Sequence, residues 1–293
     1  VLSFRLTADS LPILESKIML FQKKSDFLVC RDSDGTVMDT RTIKHYNCFG
    51  PSFVDVYAIK DHKDEILKEW NRINLFSITR GINRFQGLND ILDYVGKFGY
   101  SYSGKESFAS WVKTTKELSP RALKEYREAN EKDNLCRKLA LQWSDEVNRR
   151  ISLLPLGQPF APVKEIISQI KDEVDLVGVS SANEGAVTEE WKGAGIYSLF
   201  RFVACQSVGK KDRIIQKALE CGYEKDNTVR LGDALGDIEA SKANGVHFFP
   251  ILPGKEKESW EEFYKEGLPH LLSHTFTLEY QEQLYKKFFD CLK

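Results

Sequence analysis

The sequence has almost no excess of charge of either sign, with 42 lysines and arginines against 43 aspartates and glutamates in 293 residues, a net of −1. That balance removes the bulk electrostatic pull that draws a protein to nucleic acid or to an anionic membrane. The expected partner is a small molecule, with no nucleic acid and no membrane. The chain also lacks any apolar run approaching the roughly 18 to 20 residues that cross a bilayer, and its first residues lack the apolar centre of a secretory signal. A cytoplasmic location follows as the expectation. Cys30, Cys48, Cys136, Cys205, Cys221 and Cys291 show no C-x-x-C spacing and no histidine companions, which excludes a zinc site and a disulfide framework and leaves free thiols. There is no internal repeat and no low-complexity tract. What remains, 42% hydrophobic and 29% charged residues, is the composition of a globular protein with one large or two modest cores.

Apolar, strand-like runs occur at 27–31, 175–180, 199–205, 228–231 and 246–251, at the start and in the second half. Between them the spacing turns helical, as in Ile66, Leu67, Trp70, Ile73 and Leu75, then Leu135, Leu139, Trp143 and Val147. The pattern predicts an α/β fold, a parallel sheet with helices on both faces, interrupted by an inserted α-helical domain. The boundaries are 1–40 for the first part of the core, 41–157 for the insertion and 158–293 for the rest of the core. The proline-rich segment Leu153 to Pro162 marks the return. Helical stripes at Leu11, Leu14, Ile18 and Phe21, and at Leu284, Tyr285, Phe288, Phe289 and Leu292, add an extension at each end that packs on the core. A dimer contact through Trp260, Phe263 and Tyr264 is the alternative to plain packing, so both monomer and homodimer stay open.

The most informative stretch is Phe27 to Thr40, FLVCRDSDGTVMDT. Ligands in open α/β sheets bind where parallel strands end, and here a short apolar run ends in Asp32, Asp34, Gly35 and a hydroxyl. Asp32 and Asp34 are two apart, so in extended backbone they point the same way. Two carboxylates at one point repel unless a cation or a shared proton relieves them, which predicts a metal, an acid/base role or both.

The string D-x-D-G-T-x-x-D-T behind an apolar strand resembles the first motif of the haloacid dehalogenase-like superfamily. The superfamily's three later motifs have counterparts in the same order. Asp175 to Ser181 is an apolar strand ending in hydroxyls, similar to the second motif with Ser180 as the phosphate contact. Lys211, opening a helical pattern three residues before Ile214, stands where the third motif has its lysine, with Lys210 as its competitor. Thr228 to Asp237 resembles the fourth, G-D-x-x-x-D, carrying Asp233 and Asp237.

This resemblance implies a Rossmann-like core with a helical cap inserted after the first motif, and a Mg²⁺-dependent phosphoric monoester hydrolase. It implies Asp32 as nucleophile and Asp34 as the acid that protonates the leaving alkoxide and then activates water. Asp32, Asp34 through its backbone carbonyl, and Asp233 would hold Mg²⁺, with Asp237 orienting metal waters or Lys211. Ser180, Lys211 and the backbone near Gly35 and Ser181 would hold the transferring phosphoryl group. Arg31 and Ser33 depart from the hydrophobic residues usual around the nucleophile, and neither has a required chemical part.

In the insertion, Arg80-Gly81-Ile82-Asn83-Arg84 resembles the cap loop of β-phosphoglucomutases that contacts sugar and distal phosphate. Read without the resemblance, it is a surface turn with two solvated arginines. Lys44 and His45 follow the first motif where mutases carry a histidine, with Lys44 in register and His45 one position off. The leading function is therefore hydrolysis of a small phosphorylated metabolite, such as a sugar phosphate, through an aspartyl-phosphate. A phosphoglucomutase-like isomerase and a non-catalytic phosphometabolite-binding protein are the alternatives. Dehalogenase chemistry is disfavoured because C–Cl cleavage needs no acid for an alkoxide, and Asp34 is present.

Overall fold

The computed structural model describes residues 22–130, 134–180, 184–205 and 209–292. The N-terminal stripe from Leu11 to Phe21 and Ser181 lie outside the described residues. The chain divides into two compact units, one formed by residues 1–40 and 156–293 and the other by Arg41–Pro155.

The first unit is built on β1 (Leu28–Arg31), which is followed by the excursion into the second unit. That second unit contains α1 (Arg41–Lys44), a π-helical turn His45–Phe49, α2 (Gly50–Val56), α3 (Lys63–Leu75), α4 (Arg84–Val95), α5 (Lys105–Thr114), α6 (Pro120–Asn130) and α7 (Leu135–Ile151). The core then resumes with α8 (Val163–Ile170), β2 (Asp175–Val179), α9 (Glu184–Gly193), β3 (Phe202–Ala204), α10 (Lys211–Leu219), β4 (Thr228–Gly232), α11 (Leu235–Asn244) and β5 (His247–Pro250). Three helices close it: α12 (Glu256–Glu262), α13 (Leu268–Leu272) and α14 (Leu278–Cys291).

The five strands form one sheet in the order β3-β2-β1-β4-β5, every pairing parallel. Parallel strands joined by helices must be covered on both faces, and the side chains of β1 divide accordingly. Val29 enters the layer formed by α8, α9 and α12, with Ile167, Trp191 and Trp260. Leu28 and Cys30 enter the opposite layer, with Ile214 and Ile215 of α10 and Ala240 of α11. The apolar residues of α8, Val163, Ile166, Ile167 and Ile170, fall on one stripe and are all buried, as a helix lying on a sheet requires. Because β1 is central and the chain moves to one side through β2 and to the other through β4, the order switches around β1. Its carboxyl end is where such sheets take ligands.

The C-terminal stripe lies on α14, where Leu284, Phe288 and Leu292 are buried against the core. The amide of Gln281 closes on the outer strand: its Oε1 accepts from Phe248 N–H at 2.8 Å and its Nε2 donates to Phe248 C=O at 2.9 Å. Of the three residues considered for a dimer contact, Trp260 and Phe263 are fully buried, so packing accounts for both, whereas Tyr264 is exposed. At the opposite, amino end of the strands, buried Asp175 accepts from the N–H groups of Lys24 and Ser25, from Tyr223 Oη and from Arg201 Nε. Burial alone would raise its pKa, but these donors hold it below the ordinary carboxylate value.

The elements described in the second unit are helices, and its core contains a cluster of aromatic rings. Trp70 and Trp143 meet edge to face at 5.7 Å, Phe53 stacks on Trp70, and Phe85 joins Trp143 to Trp111. On α7 the buried apolar residues are Cys136, Ala140, Trp143 and Val147, whereas Leu135 is exposed, so the stripe sits slightly rotated from the one the leucines suggest. All six cysteines are free thiols. Among the described residues no helix is long and apolar enough to cross a membrane.

Candidate active site

The first-motif residues leave β1 in a tight loop. Ser33 C=O accepts from the N–H groups of Thr36, Val37 and Met38, and Gly35 N–H donates to Met38 C=O at 2.9 Å. Gly35 sits at φ 80°, a left-handed conformation that explains the glycine. Its amide is therefore committed within the loop. The returning chain seals this turn, since Asp39 N–H donates to Gln158 C=O and Phe160 N–H to Val37 C=O.

Asp32 is buried at the carboxyl end of β1. Its Oδ1 accepts from Ser33 N–H at 2.9 Å and its Oδ2 from Lys211 Nζ at 2.8 Å. Lys211 opens α10 and also donates to Asp237 Oδ1 at 2.7 Å, so one ammonium joins the first and fourth motifs. Lys210, by contrast, is exposed. Burial pushes the Asp32 pKa up, and the nearby Asp237 adds to this, against the opposing pull of Lys211. Lys211 stays above its ordinary value although burial works against its charge, because Asp237 and Asp32 flank it.

The fourth motif reaches the site on β4 and the first turn of α11. Asp233 and Asp237 are both fully buried, and ligand oxygens of Asp32, Asp233 and Asp237 lie within 4.8 Å of one another. Gly232 is required by close approach: a Cβ there would stand 2.3 Å from the Asp237 side chain. Thr36 Oγ1 donates to Asp233 Oδ1 at 3.0 Å, tying the first motif to the fourth. Asp34 is only partly buried, and its Oδ1 accepts from Thr40 Oγ1 at 2.5 Å. Ser180 is buried at the end of β2, its N–H bonded to Ala204 C=O.

Hard carboxylate oxygens, buried and converging, are the donor set that suits Mg²⁺. Asp32 and Asp233 fit such an ion. Asp237 fits less well as a direct ligand, because its Oδ1 is already shared by Lys211 and by Arg230 Nη2 at 2.7 Å. Those two cations hold its carboxyl well below the usual range in spite of burial.

Sequence reasoning missed several groups here. Arg230, fully buried in β4, was not singled out, although an arginine inside an apolar strand three residues before an aspartate is a readable signal. Thr36 and Thr40 were read only as motif letters, yet their hydroxyls hold Asp233 and Asp34. Ser33 is used structurally, its Oγ accepting from Trp191 Nε1 at 2.9 Å. Arg31 has Phe200 4.8 Å and Trp260 5.6 Å from its guanidinium, whose nitrogens have no hydrogen-bond partner among the described residues, and burial pushes its pKa down to about 9.

The residues expected to bind substrate from the helical insertion belong to the second unit. Arg80 is buried, with Nη1 donating to Leu75 C=O, and Gly81 sits in the adjoining turn at φ 75°. Arg84 donates to Ser144 Oγ and Asn148 Oδ1 of α7 and lies 5.2 Å from the Phe49 ring centre. The reading of this loop as a turn with two solvated arginines is thereby overturned, since both guanidinium groups are engaged inside the unit. His45 stacks on Phe49 at 4.5 Å and its Nδ1 accepts from Trp70 Nε1, while Lys44 is half-buried at the end of α1.

Residues 82–251, more than half of the chain, match the family of haloacid dehalogenase-like hydrolases. No curated protein matches the chain in sequence. Solved structures similar to it include a haloacid dehalogenase-like hydrolase of Streptococcus pneumoniae, 14% identical with a TM-score of 0.45, covering 76% of this chain and 82% of the other. A protein of Haemophilus somnus described as a predicted phosphoglycolate phosphatase is 15% identical with a TM-score of 0.47, covering 77% and 85%. CbbY of Rhodobacter sphaeroides, in complex with phosphate, is 14% identical with a TM-score of 0.41, covering 76% and 84%. On the match across residues 82–251, with the four motifs in order at the carboxyl edge of a parallel sheet, the chain belongs to the haloacid dehalogenase-like hydrolases.

Proposed function

We propose that the protein is a Mg²⁺-dependent phosphatase that hydrolyses a small phosphorylated metabolite through an aspartyl-phosphate intermediate. The observation that carries this reading is the pairing of buried Asp32 with Lys211, one carboxylate oxygen held by Ser33 N–H and the other by the lysine. A carboxylate so fixed at a strand end is a nucleophile with a defined direction of attack.

In the first step an oxygen of Asp32 attacks phosphorus, the bond from phosphorus to the ester oxygen breaks, and Asp34 gives its proton to the leaving alkoxide. In the second, Asp34 takes a proton from water, the water oxygen attacks phosphorus, and the acyl phosphate bond breaks to restore Asp32 and release inorganic phosphate. The Thr40 hydroxyl fixes the orientation of Asp34 for both transfers. Ser180 and Lys211 offer donors to the phosphoryl oxygens. Asp32, Asp233 and the Asp34 carbonyl are the residues that would hold Mg²⁺, which would supply positive charge against the oxygens of the transferring group.

The test is acid quenching during turnover of a phosphomonoester, followed by peptide mapping. A phosphorylated peptide carrying Asp32 is expected, together with release of inorganic phosphate that EDTA abolishes and Mg²⁺ restores. Turnover without any phosphopeptide would remove the covalent route. Conversion of β-glucose 1-phosphate to glucose 6-phosphate, in place of phosphate release, would identify an isomerase.

A further inference from the structure

Burying a guanidinium is expensive unless its charge and its N–H groups are met. Arg230 is fully buried in the middle of β4, and among the described residues its Nε and Nη1 have no hydrogen-bond partner. The hydrogen bonds of its guanidinium to described residues run through Nη2, to Asp237 Oδ1 at 2.7 Å and to Val179 C=O at 3.0 Å. These two acceptors are not ordinary positions. Val179 immediately precedes Ser180 at the end of β2, and Asp237 is the residue that holds Lys211. The guanidinium thus reaches from β4 past β1 to β2 and braces two motifs beneath the nucleophile.

The charges around it suggest why the brace is cationic. Asp237 Oδ1 accepts from both Arg230 and Lys211, and Lys211 also serves Asp32. A phosphoryl group entering the site competes with Asp237 for the Lys211 ammonium. Were Lys211 the sole counter-charge of Asp237, giving it up would leave a buried carboxylate unpaired, which is strongly unfavourable. With Arg230 in place, Asp237 keeps a cation.

Resting on the phosphatase reading above, we infer that Arg230 is a positioning residue that frees Lys211 for the phosphoryl group by neutralising Asp237, while fixing the strand end that presents Ser180. The inference is tested with Arg230→Met, Arg230→Lys, Asp237→Asn and the double variant Arg230→Met/Asp237→Asn. Inorganic phosphate is titrated by calorimetry, and KM and kcat are measured with p-nitrophenyl phosphate. Arg230→Met is expected to weaken phosphate binding and raise KM by about 10-fold, and Arg230→Lys to recover most of it, since the charge is what matters. In the Asp237→Asn background the same methionine substitution is expected to change phosphate affinity by less than about 2-fold, because the charge it answers is gone.

Equal losses in both backgrounds, or no loss in either, would overturn the inference. If Arg230→Met alone fails to fold, a folded double variant supports the inference, because removing the Asp237 charge then removes the need for Arg230. Failure of both to fold would assign Arg230 to packing and end it. A wild-type protein that neither binds phosphate nor releases it from esters removes the phosphatase reading itself. Wild-type turnover with an unaffected Arg230→Met variant removes only the role of Arg230.

Discussion

One charged group from each unit, compared side by side, is held in a different way. In the sheet unit, Asp32, Lys211, Asp237 and Arg230 form an alternating chain of opposite charges at the carboxyl end of the strands, every link 2.7 or 2.8 Å long. In the helical unit, the partners of Arg84 among the described residues are a hydroxyl, an amide oxygen and an aromatic face. An ion chain can be redistributed when another anion arrives, since each member has a second partner. A guanidinium packed on a ring and neutral acceptors has nothing to exchange. The first arrangement suits chemistry, and the second suits architecture.

The largest test of this contrast removes the nucleophile. Asp32→Asn keeps the shape and one oxygen acceptor but is a poor nucleophile, so phosphate release should fall by on the order of 1000-fold or more with little change in thermal midpoint. Near-normal turnover with Mg²⁺ present would take Asp32 out of the role. In the helical unit the largest effect should be structural. Trp143 touches Trp70, Phe49 and Phe85 and donates to Phe49 C=O, so Trp143→Ala should cost about 3 to 5 kcal/mol. Hydrogen exchange should show the loss confined to residues 41–155, and loss of protection spread evenly through the sheet unit would contradict the division into two units.

Asp175→Asn probes a buried charge of the sheet unit remote from the candidate site. It should cost about 2 kcal/mol in urea denaturation, since a carboxylate with four donors is replaced by a group that is itself half donor. Because the folded-state pKa of Asp175 is depressed, its contribution is present above the unfolded carboxylate value and fades as pH falls through the folded one. The gap between wild type and variant should therefore close below about pH 4. A gap that widens on acidification would contradict the assigned ion pair. The smallest effect is expected from Arg84→Ala, about 1 kcal/mol of stability in the helical unit from the lost hydrogen bonds and ring contact. A selective fall in kcat/KM for one metabolite, with unchanged stability, would instead support the substrate-binding reading of Arg84.

Legibility in the sequence follows the same division. The strands of the sheet were readable because parallel strands buried on both faces must be apolar; Asp32 and Asp233 were readable because they follow such strands, and Lys211 because it opens a helical pattern where the resemblance places a lysine. Arg31 and Arg230 interrupt that apolar pattern. Their partners, the rings of Phe200 and Trp260 for one and Asp237 with Val179 for the other, come from outside their own strands, so local pattern flags the arginines without saying what they meet. In the helical unit the string Arg80 to Arg84 resembles a binding loop or, read alone, a solvated turn, and neither reading names the side chains it meets within the unit. What engages Arg84 are Ser144 and Asn148, 60 and 64 residues away, a pairing that only the packing of α4 on α7 creates.

The hold of Gln281 on Phe248 has a consequence for how the molecule behaves in company. β5 is an outer strand, and an outer strand offers unpaired amides and carbonyls to any extended chain that meets it. By answering both the N–H and the C=O of Phe248, the glutamine imitates one residue of a sixth strand, and α14 lies where that strand would run. At the other margin β3 has only three residues, from Phe202 to Ala204, too short a template for stable pairing. Crowded among copies of itself during synthesis, the finished sheet thus offers little purchase for edge-to-edge growth.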